Sequence, residues 1–187
     1  MTIVTLTTDW NTNDYYVGAI KGKILSQSTQ AQVVDISHQV QSYNINQAAF
    51  VLRNCFYNFP KGSVHIIGVN TEGGKDVPFL LVEYQKHYFI GADNGIFGLL
   101  FSEGPEKIIE IKPPKELRSF TSFSIFAETA SKLANGDRAE SLGKVVKIYH
   151  ERIPLRAAID KSGITGSVIY IDSFRNAITN ITRDLFD

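Results

Sequence analysis

Hydrophobic and polar positions follow two different periodicities along the first hundred residues. Apolar positions at helical spacing predict amphipathic helices over 15–28 and 44–59, the second ending before Pro60. Short runs of β-branched and apolar residues are typical of buried strands and occur at 2–8, 31–37 and 62–70. This alternation of strands and helices predicts an α/β fold whose N-terminal sheet is largely parallel and flanked by helices.

The pattern changes after residue 77. Residues 78–95 predict a hairpin-like pair of strands, and 107–112 predict a further strand. A helix is expected over roughly 125–134, closed by Asn135-Gly136. The order of the strands in the sheet does not follow from these local patterns.

Near the C-terminus the helical period disappears, and β-branched residues alternate with polar ones. We expect an α/β domain over 1–145, a linker over 146–162, and the beginning of a small β domain over 163–187. A unit of about 25 residues cannot bury a core of its own. The expectation is therefore that it packs on the first domain, or that the chain is a truncated fragment.

The amino-acid composition argues against some binding partners and locations of the protein. The chain has 19 Lys and Arg against 19 Asp and Glu, so no bulk positive charge attracts nucleic acid or an anionic membrane. Its one cysteine, Cys55, excludes an internal disulfide and is expected to be a small buried residue. There is no signal-peptide pattern and no apolar run long enough to span a membrane, so a cytoplasmic location is expected.

Ligands of parallel sheets lie at the carboxyl ends of the strands, which directs attention to the strand exits. Asp9 follows the first predicted strand without a glycine-rich phosphate loop. Its two acceptor oxygens suit the adjacent hydroxyls of a ribose. The alternative is a helix cap, for which Asp14 is an equally good candidate.

The second strand exit offers an aromatic side chain and a histidine. Tyr43 could stack on a purine or cover a sugar, or could pack into the core as a hydrophobic staple for the helix that starts near Asn44. His38 could be a base, but no obvious carboxylate partner is near it in sequence, which favours a hydrogen-bonded structural histidine.

Three other segments offer groups for anions or hydroxyls. The Asp93-Asn94-Gly95 turn presents amides or simply joins two elements, and Gly73-Gly74 could line an anion pocket without matching a phosphate loop. Four hydroxyls lie just before the helix predicted over 125–134, either to bind an anion or to cap that helix. They belong to Ser119, Thr121, Ser122 and Ser124.

Five segments together carry a resemblance that extends from Thr5 to Ile181. They are "TLTTDW…NDYYVGAIKG", "VVDISH", "FPKGSVHIIGVN", "YFIGADNGIF" and "GSVIYIDSFRNAITNI". In this order they closely resemble the S-adenosyl-L-methionine (SAM) hydroxide adenosyltransferase family, which includes the fluorinases and chlorinases. The resemblance implies an N-terminal α/β domain, a C-terminal β-barrel-like domain and a homotrimer that holds SAM between domains of two neighbours.

The implied reaction is attack of water, hydroxide or halide on the 5′-carbon of SAM, which releases methionine. SAM is then the substrate, and no separate cofactor or metal is expected. By this resemblance Asp9 holds the ribose hydroxyls and Tyr43 covers the sugar, while Asn94 lies in the matching D-N-G turn. A nucleoside without a phosphate needs no glycine-rich cradle, which accounts for the loop after the first strand.

The resemblance also assigns residues of the C-terminal unit. Asp172 and Asn176 match a segment that binds the methionine amino group and nearby parts of the ligand. Phe174 matches the aromatic residue of that segment. Arg175 stands where the family has glycine, which places a bulky charged side chain in the middle of the motif.

The sequence departs from the family where hydroxide-using members position and activate water. Asn70 replaces their aspartate, 75–77 supply no arginine, and Thr121 replaces their histidine. Asn and Thr do not accept a proton near neutral pH, so general-base activation of water lacks its residues. Ser122 matches a halide-binding serine and Thr71 lies near the other wall, so these positions are candidates for a nucleophile pocket.

Three functions remain open from the sequence. The first is a divergent SAM adenosyltransferase, since displacement at a sulfonium requires mainly a desolvated and aligned nucleophile. The second is an inactive protein that binds SAM or adenosine as a sensor. The third is a structural trimer without ligand.

Overall fold

The computed structural model describes residues 1–71, 77–112, 121–161 and 163–185. Within these ranges the secondary structure alternates between strands and helices up to residue 134 and is mostly strand afterwards. The strands are β1 Thr2–Thr8, β2 Ala31–Ser37, β3 Val64–Gly68, β4 Phe79–Tyr84, β5 His87–Ala92, β6 Lys107–Ile111, β7 Gly143–Val146, β8 Ala158–Asp160, β9 Gly163–Thr165, β10 Val168–Ile171 and β11 Ala177–Thr179. The α-helices are α1 Tyr16–Gln27, α2 Ile45–Arg53, α3 Ile96–Leu100 and α4 Thr121–Ala134.

Seven strands form one sheet in the order β2-β1-β3-β5-β4-β6-β7. The neighbours from β2 to β5 pair in parallel, whereas β4 pairs antiparallel to both β5 and β6, and β7 pairs antiparallel to β6. Five strands therefore point in one direction and only β4 and β7 oppose them. The predicted α/β class with a largely parallel sheet and the predicted β4–β5 hairpin are confirmed.

Helices cover both faces of this sheet, so residues on both sides of the central strands are buried. On one face α1 and α4 pack against Leu6, Ile66 and Ile90. On the other face α2 and α3 pack against Ile67, Val82 and Phe89. The result is a three-layer arrangement whose carboxyl edge, where β1, β2 and β3 all end, carries the loops of interest.

Helix boundaries differ from the sequence predictions in two places. The second predicted helix ends at Arg53 rather than at 59, and a 3₁₀ turn over Phe56–Asn58 continues the apolar pattern by burying Phe56. The helix predicted over 125–134 is α4, which begins at Thr121, one turn earlier than predicted, and ends at Ala134 as predicted; Gly136, two residues later, has a left-handed φ of 95°.

The C-terminal unit contains two separate antiparallel hairpins, β8–β9 and β10–β11. The ring of Tyr170 in β10 stacks on Phe50 of α2 with centroids 4.5 Å apart, so this unit packs on the first domain. The range 146–162 that the sequence indicates as a linker contains β8 and the last residue of β7. No helix in the described ranges is long and apolar enough to cross a membrane.

Candidate functional site

Asp9 lies at the end of β1 and connects three strand exits. Its backbone N–H donates to the Gly68 carbonyl at the end of β3 (3.2 Å). Its Oδ2 accepts hydrogen bonds from the backbone N–H groups of Tyr43 (2.9 Å) and Asn70 (3.3 Å). The structure therefore brings Asp9, Tyr43 and Asn70 together, as the predicted strand exits require.

The helix-cap alternatives for the two aspartates are wrong. The N-cap position of α1 is Tyr15, and no side chain accepts a hydrogen bond there, so neither Asp9 nor Asp14 caps the helix. Within the described ranges, no hydrogen bond to Asp9 Oδ1 is present. That oxygen is the acceptor that a ligand hydroxyl can use, while Oδ2 is committed to the two amides.

Tyr43 presents its ring at the surface. The residue is 71% exposed, which contradicts core packing or a hydrophobic staple. Asn44 instead caps α2, since its side-chain oxygen accepts the backbone N–H of Gln47 at 3.0 Å. An exposed aromatic ring on a residue whose backbone N–H bonds to the Asp9 carboxylate is a candidate to cover a bound sugar or base.

The side chain of Asn94 connects the end of β5 to the end of β3 through hydrogen bonds. Its Nδ2 donates to the carbonyls of Val69 (3.1 Å) and Asn70 (2.9 Å), and its Oδ1 accepts the N–H of Ile96 (3.2 Å). The side-chain amide is thus engaged in holding Asn70 in place. Thr71 follows and is buried, while 72–76, which include Gly73-Gly74 and Lys75, lie outside the described residues.

The first turn of α4 lies beside the exit of β1. The rings of Trp10 and Phe123 are 6.3 Å apart, and Lys23 Nζ donates to Ser124 Oγ at 3.0 Å. Trp10 covers Gly68 so closely that a Cβ there would lie 2.7 Å from its ring, which explains the glycine. Ser122, which is buried, belongs to this turn. The side chain of Thr121 and the whole of Ser119 lie outside the described residues.

The loop from Asp172 to Asn176 joins β10 to β11 and is held together by its own aspartate. Asp172 Oδ1 accepts the backbone N–H groups of Phe174 (2.9 Å) and Asn176 (2.8 Å), and Oδ2 accepts Nδ2 of Asn176 (2.8 Å). These bonds, the Asn176 side chain first, lower the pKa of the Asp172 carboxyl. The tip therefore presents Phe174, which is 86% exposed, and Arg175.

The backbone of this loop shows why glycine suits the position that Arg175 occupies in this chain. Arg175 has a φ of 67°, a left-handed conformation that favours glycine. Within the described ranges, no hydrogen bond or ring contact joins this loop to Asp9 or Tyr43. Among the described residues, hydrogen bonds thus connect Asp9, Tyr43, Asn70 and Asn94 with one another and do not extend to Asp172, Phe174 or Asn176.

His38 has a carboxylate partner that was not expected from the sequence. Asp35 lies three residues earlier, and its Oδ1 is 3.0 Å from His38 Nε2, while Thr8 Oγ1 is 2.8 Å from His38 Nδ1. The i, i+3 spacing across the end of β2 was the available signal. The expected hydrogen-bonded role of this histidine is confirmed, and the expected lack of a nearby carboxylate is wrong.

A cavity of about 820 Å³ lies between α2 and the C-terminal hairpins. Its lining includes Asn44, the neighbour of Tyr43, together with Arg53 and Arg156 and no carboxylate among the described lining residues. Among the described residues, no group of three His, Cys, Asp or Glu side chains is arranged to hold a metal ion.

Proteins of known sequence or structure that resemble this chain share its fold. The relative from Methanocaldococcus jannaschii, an (R)-S-adenosyl-L-methionine hydrolase, is 33% identical over 97% of this chain and 68% of its own length. The enzyme of the same name from Thermus thermophilus is 26% identical over 94% of this chain and 72% of its own length. The crystal structure of an uncharacterized conserved protein from Thermotoga maritima aligns with a TM-score of 0.88 and 28% identity, covering 99% of this chain and 73% of that one.

The sequence profile of the SAM hydroxide adenosyltransferase N-terminal domain matches residues 4–143. The matched range includes the seven-stranded sheet except the first two residues of β1 and the last three of β7, and it includes Asp9, Tyr43, Asn70 and Asn94. With three quarters of its length matched in this way, the chain belongs to the SAM hydroxide adenosyltransferase family.

Proposed function

We propose that this protein binds SAM at the carboxyl edge of its sheet and cleaves it by nucleophilic attack on the 5′-carbon. The observation that carries the proposal is the Asp9 carboxylate, whose Oδ2 is fixed by two backbone amides while Oδ1 faces no partner among the described residues. A carboxylate fixed in this way is preorganised to accept the hydroxyls of a ribose. The relatives named SAM hydrolases support the same substrate.

The proposed displacement can be written without a general acid or a metal ion, because the leaving group needs no proton. The nucleophile forms a bond to the 5′-carbon, the bond from that carbon to the sulfonium breaks, and its electron pair goes to sulfur. Methionine leaves as a neutral thioether, so the protein has mainly to align and desolvate the nucleophile. Water gives adenosine after losing a proton to solvent, and a halide gives 5′-halo-5′-deoxyadenosine.

We assign the nucleophile pocket to Asn70, Thr71, Thr121 and Ser122. Thr71 and Ser122 are buried, which favours a partly dehydrated nucleophile. Asn70 is held by Asp9 at its N–H and by Asn94 at its carbonyl, so its position is well defined. Because neither Asn nor Thr is a base near neutral pH, this pocket suits a halide or slow attack by water.

We further propose that Asp172, Phe174 and Asn176 contribute to a site formed with the α/β domain of a neighbouring copy in a homotrimer. The supporting observation is the exposed Phe174 at the tip of a loop that is rigidly closed by Asp172. This proposal keeps 1–145 as the SAM-binding domain and 163–187 as part of a second, β domain.

The missing general base favours a second candidate, a catalytically inactive protein that binds SAM or adenosine. The residues that grip the ribose would be unchanged in it. Only the nucleophile pocket, with Asn70 where the hydroxide-using members carry aspartate, would differ from an active enzyme.

The deciding experiment combines calorimetry with product analysis. The protein is titrated with SAM and with adenosine, and is incubated with SAM in acetate, chloride or fluoride buffer before chromatography. Adenosine or its 5′-halide, absent from a no-protein control, supports the enzyme and identifies the nucleophile. Binding without product supports the second candidate. No binding of either ligand at millimolar concentration overturns both.

A further inference from the structure

His38 lies beneath the two loops that carry the ribose-binding pair. Its Nδ1 is 2.8 Å from Thr8 Oγ1, and Thr8 directly precedes Asp9. Its backbone carbonyl accepts the N–H of Asn11 at 3.0 Å, two residues after Asp9. His38 and Thr8 are 6% and 0% exposed, so the contact between their side chains is shielded from solvent. The exit of β1 is therefore held by the His38 imidazole at Thr8 and by the His38 carbonyl at Asn11.

The opposite side of the imidazole is held as well. Its Nε2 lies 3.0 Å from Asp35 Oδ1, an ion-pair distance at which the angles depart from a good hydrogen bond. Asp35 Oδ2 in turn accepts a hydrogen bond from Lys21 Nζ at 2.5 Å. Burial would raise the pKa of the Asp35 carboxyl, but the contacts with Lys21 and His38 outweigh it and lower that pKa. Asp35 therefore stays ionised and orients the ring.

We propose that His38 is a positioning residue for SAM, acting through Thr8 and the two loops on the relative placement of Asp9 and Tyr43. His38 begins the segment that leads to Tyr43, and the N–H of Val40 in that segment donates to the Thr8 carbonyl (3.4 Å). The imidazole of His38 and the backbone of Val40 thus both bond to Thr8, the residue before Asp9, and so connect the Asp9 loop to the segment that leads to Tyr43. The inference deepens the proposed function and rests on it for its kinetic readout.

Two substitutions separate positioning from simple destabilisation. His38→Phe fills the space but removes both polar contacts, whereas His38→Asn places an amide near the Nδ1 position and can keep the contact with Thr8. A ribose grip acts equally on bound substrate and transition state, so its loss raises KM and leaves kcat unchanged. We expect His38→Phe to raise the KM for SAM about tenfold and His38→Asn to restore most of it.

The matched control is His87→Gln, which replaces another buried histidine at the opposite edge of the sheet. A substitution that only destabilises the protein lowers the folded fraction, which reduces the apparent kcat at constant KM. The kinetics of His87→Gln provide the reference for this effect. A drop in kcat alone in His38→Phe, or no rescue by His38→Asn, would overturn the positioning role.

Hydrogen exchange tests the same claim without ligand. The amide of Tyr43 is protected by its bond to Asp9, so His38→Phe should speed its exchange several-fold while His87→Gln does not. Unchanged exchange at Tyr43 overturns the inference. If the wild-type protein neither binds nor cleaves SAM, the proposed function fails, and the exchange data still decide whether His38 holds the two loops.

Discussion

Tyr43 and Asn70 both adopt left-handed backbone conformations, with φ of 64° and 50°. Each costs about 1–2 kcal/mol for a residue other than glycine. Both of their N–H groups point at Asp9 Oδ2, so hydrogen bonds to a charged acceptor offset this cost. At the scale of single residues, Asp9 therefore shapes the loops with Oδ2, and Oδ1 is the oxygen that our proposal assigns to the ligand.

Replacing Asp9 tests whether its two carboxylate oxygens have these different roles. Asp9→Ala should weaken SAM or adenosine binding by about 1–3 kcal/mol, because it removes the proposed charge-assisted hydrogen bonds to the ribose and the two bonds from the amides of Tyr43 and Asn70. Calorimetry measures the change. Asp14→Ala removes the same charge from the same loop at an exposed position and is expected to leave the dissociation constant unchanged. Equal affinity in the Asp9 and Asp14 variants would show that Asp9 serves the backbone alone.

At the scale of elements, local patterns predicted β1, β2 and the β4–β5 hairpin because each is fixed by its own alternation or turn. The insertion of β4 between β5 and β6 was not predictable, since it depends on pairing with Ile108 and Ile109, more than twenty residues away. The early start of α4 was missed because Thr and Ser are weak helix formers.

Some features of the candidate site could likewise be predicted from the sequence, and others could not. The strand-exit rule was enough to bring Asp9, Tyr43 and Asn70 together. It could not show that the amide of Asn94 is engaged with Val69 and Asn70, because that depends on a rotamer and on a contact between two strand ends. Nor did the letters D-x-F-x-N show that the aspartate closes its own loop.

The loop closed by Asp172 has a measurable titration. Because its folded-state pKa is lowered, the carboxylate and the loop order it supports persist below pH 3.8 and are lost as pH falls through the lowered value. Amide shifts of Phe174 and Asn176 in NMR should follow that midpoint. Asn176→Ala removes the largest cause and should raise the midpoint, whereas Asn180→Ala, in the same unit, should not. A midpoint unmoved by Asn176→Ala would contradict this account.

At the scale of the whole molecule, the two edges of the sheet serve different purposes. The carboxyl edge carries the candidate site, and the region where β3 and β5 begin buries a pair of histidines among Phe56, Phe59 and Phe89. His65 Nδ1 is 2.7 Å from Thr5 Oγ1, and its Nε2 is 3.1 Å from His87 Nδ1. This cluster lies in the core beneath α2 and makes folding sensitive to acid.

Burial first, and the neighbouring His87 second, lower the pKa of His65 from its ordinary 6.5 to about 3. The pKa of His87 is lowered too, by burial and by Lys61. Between pH 3 and 6.5 the unfolded chain therefore binds a proton at His65 that the folded chain does not, so stability falls as pH falls through this window. From pH 6.5 to 5 the loss at His65 is about 2 kcal/mol.

Urea unfolding at pH 6.5 and 5 measures this slope in the wild type and in His65→Asn. The asparagine amide can keep the contact with Thr5 but does not titrate, so the slope should shrink, leaving the part that belongs to His87. His150→Gln removes an exposed histidine and serves as the control, with the wild-type slope expected. If His65→Asn and wild type lose stability equally on acidification, the buried pair is not the source of the acid sensitivity, and surface carboxylates must account for it.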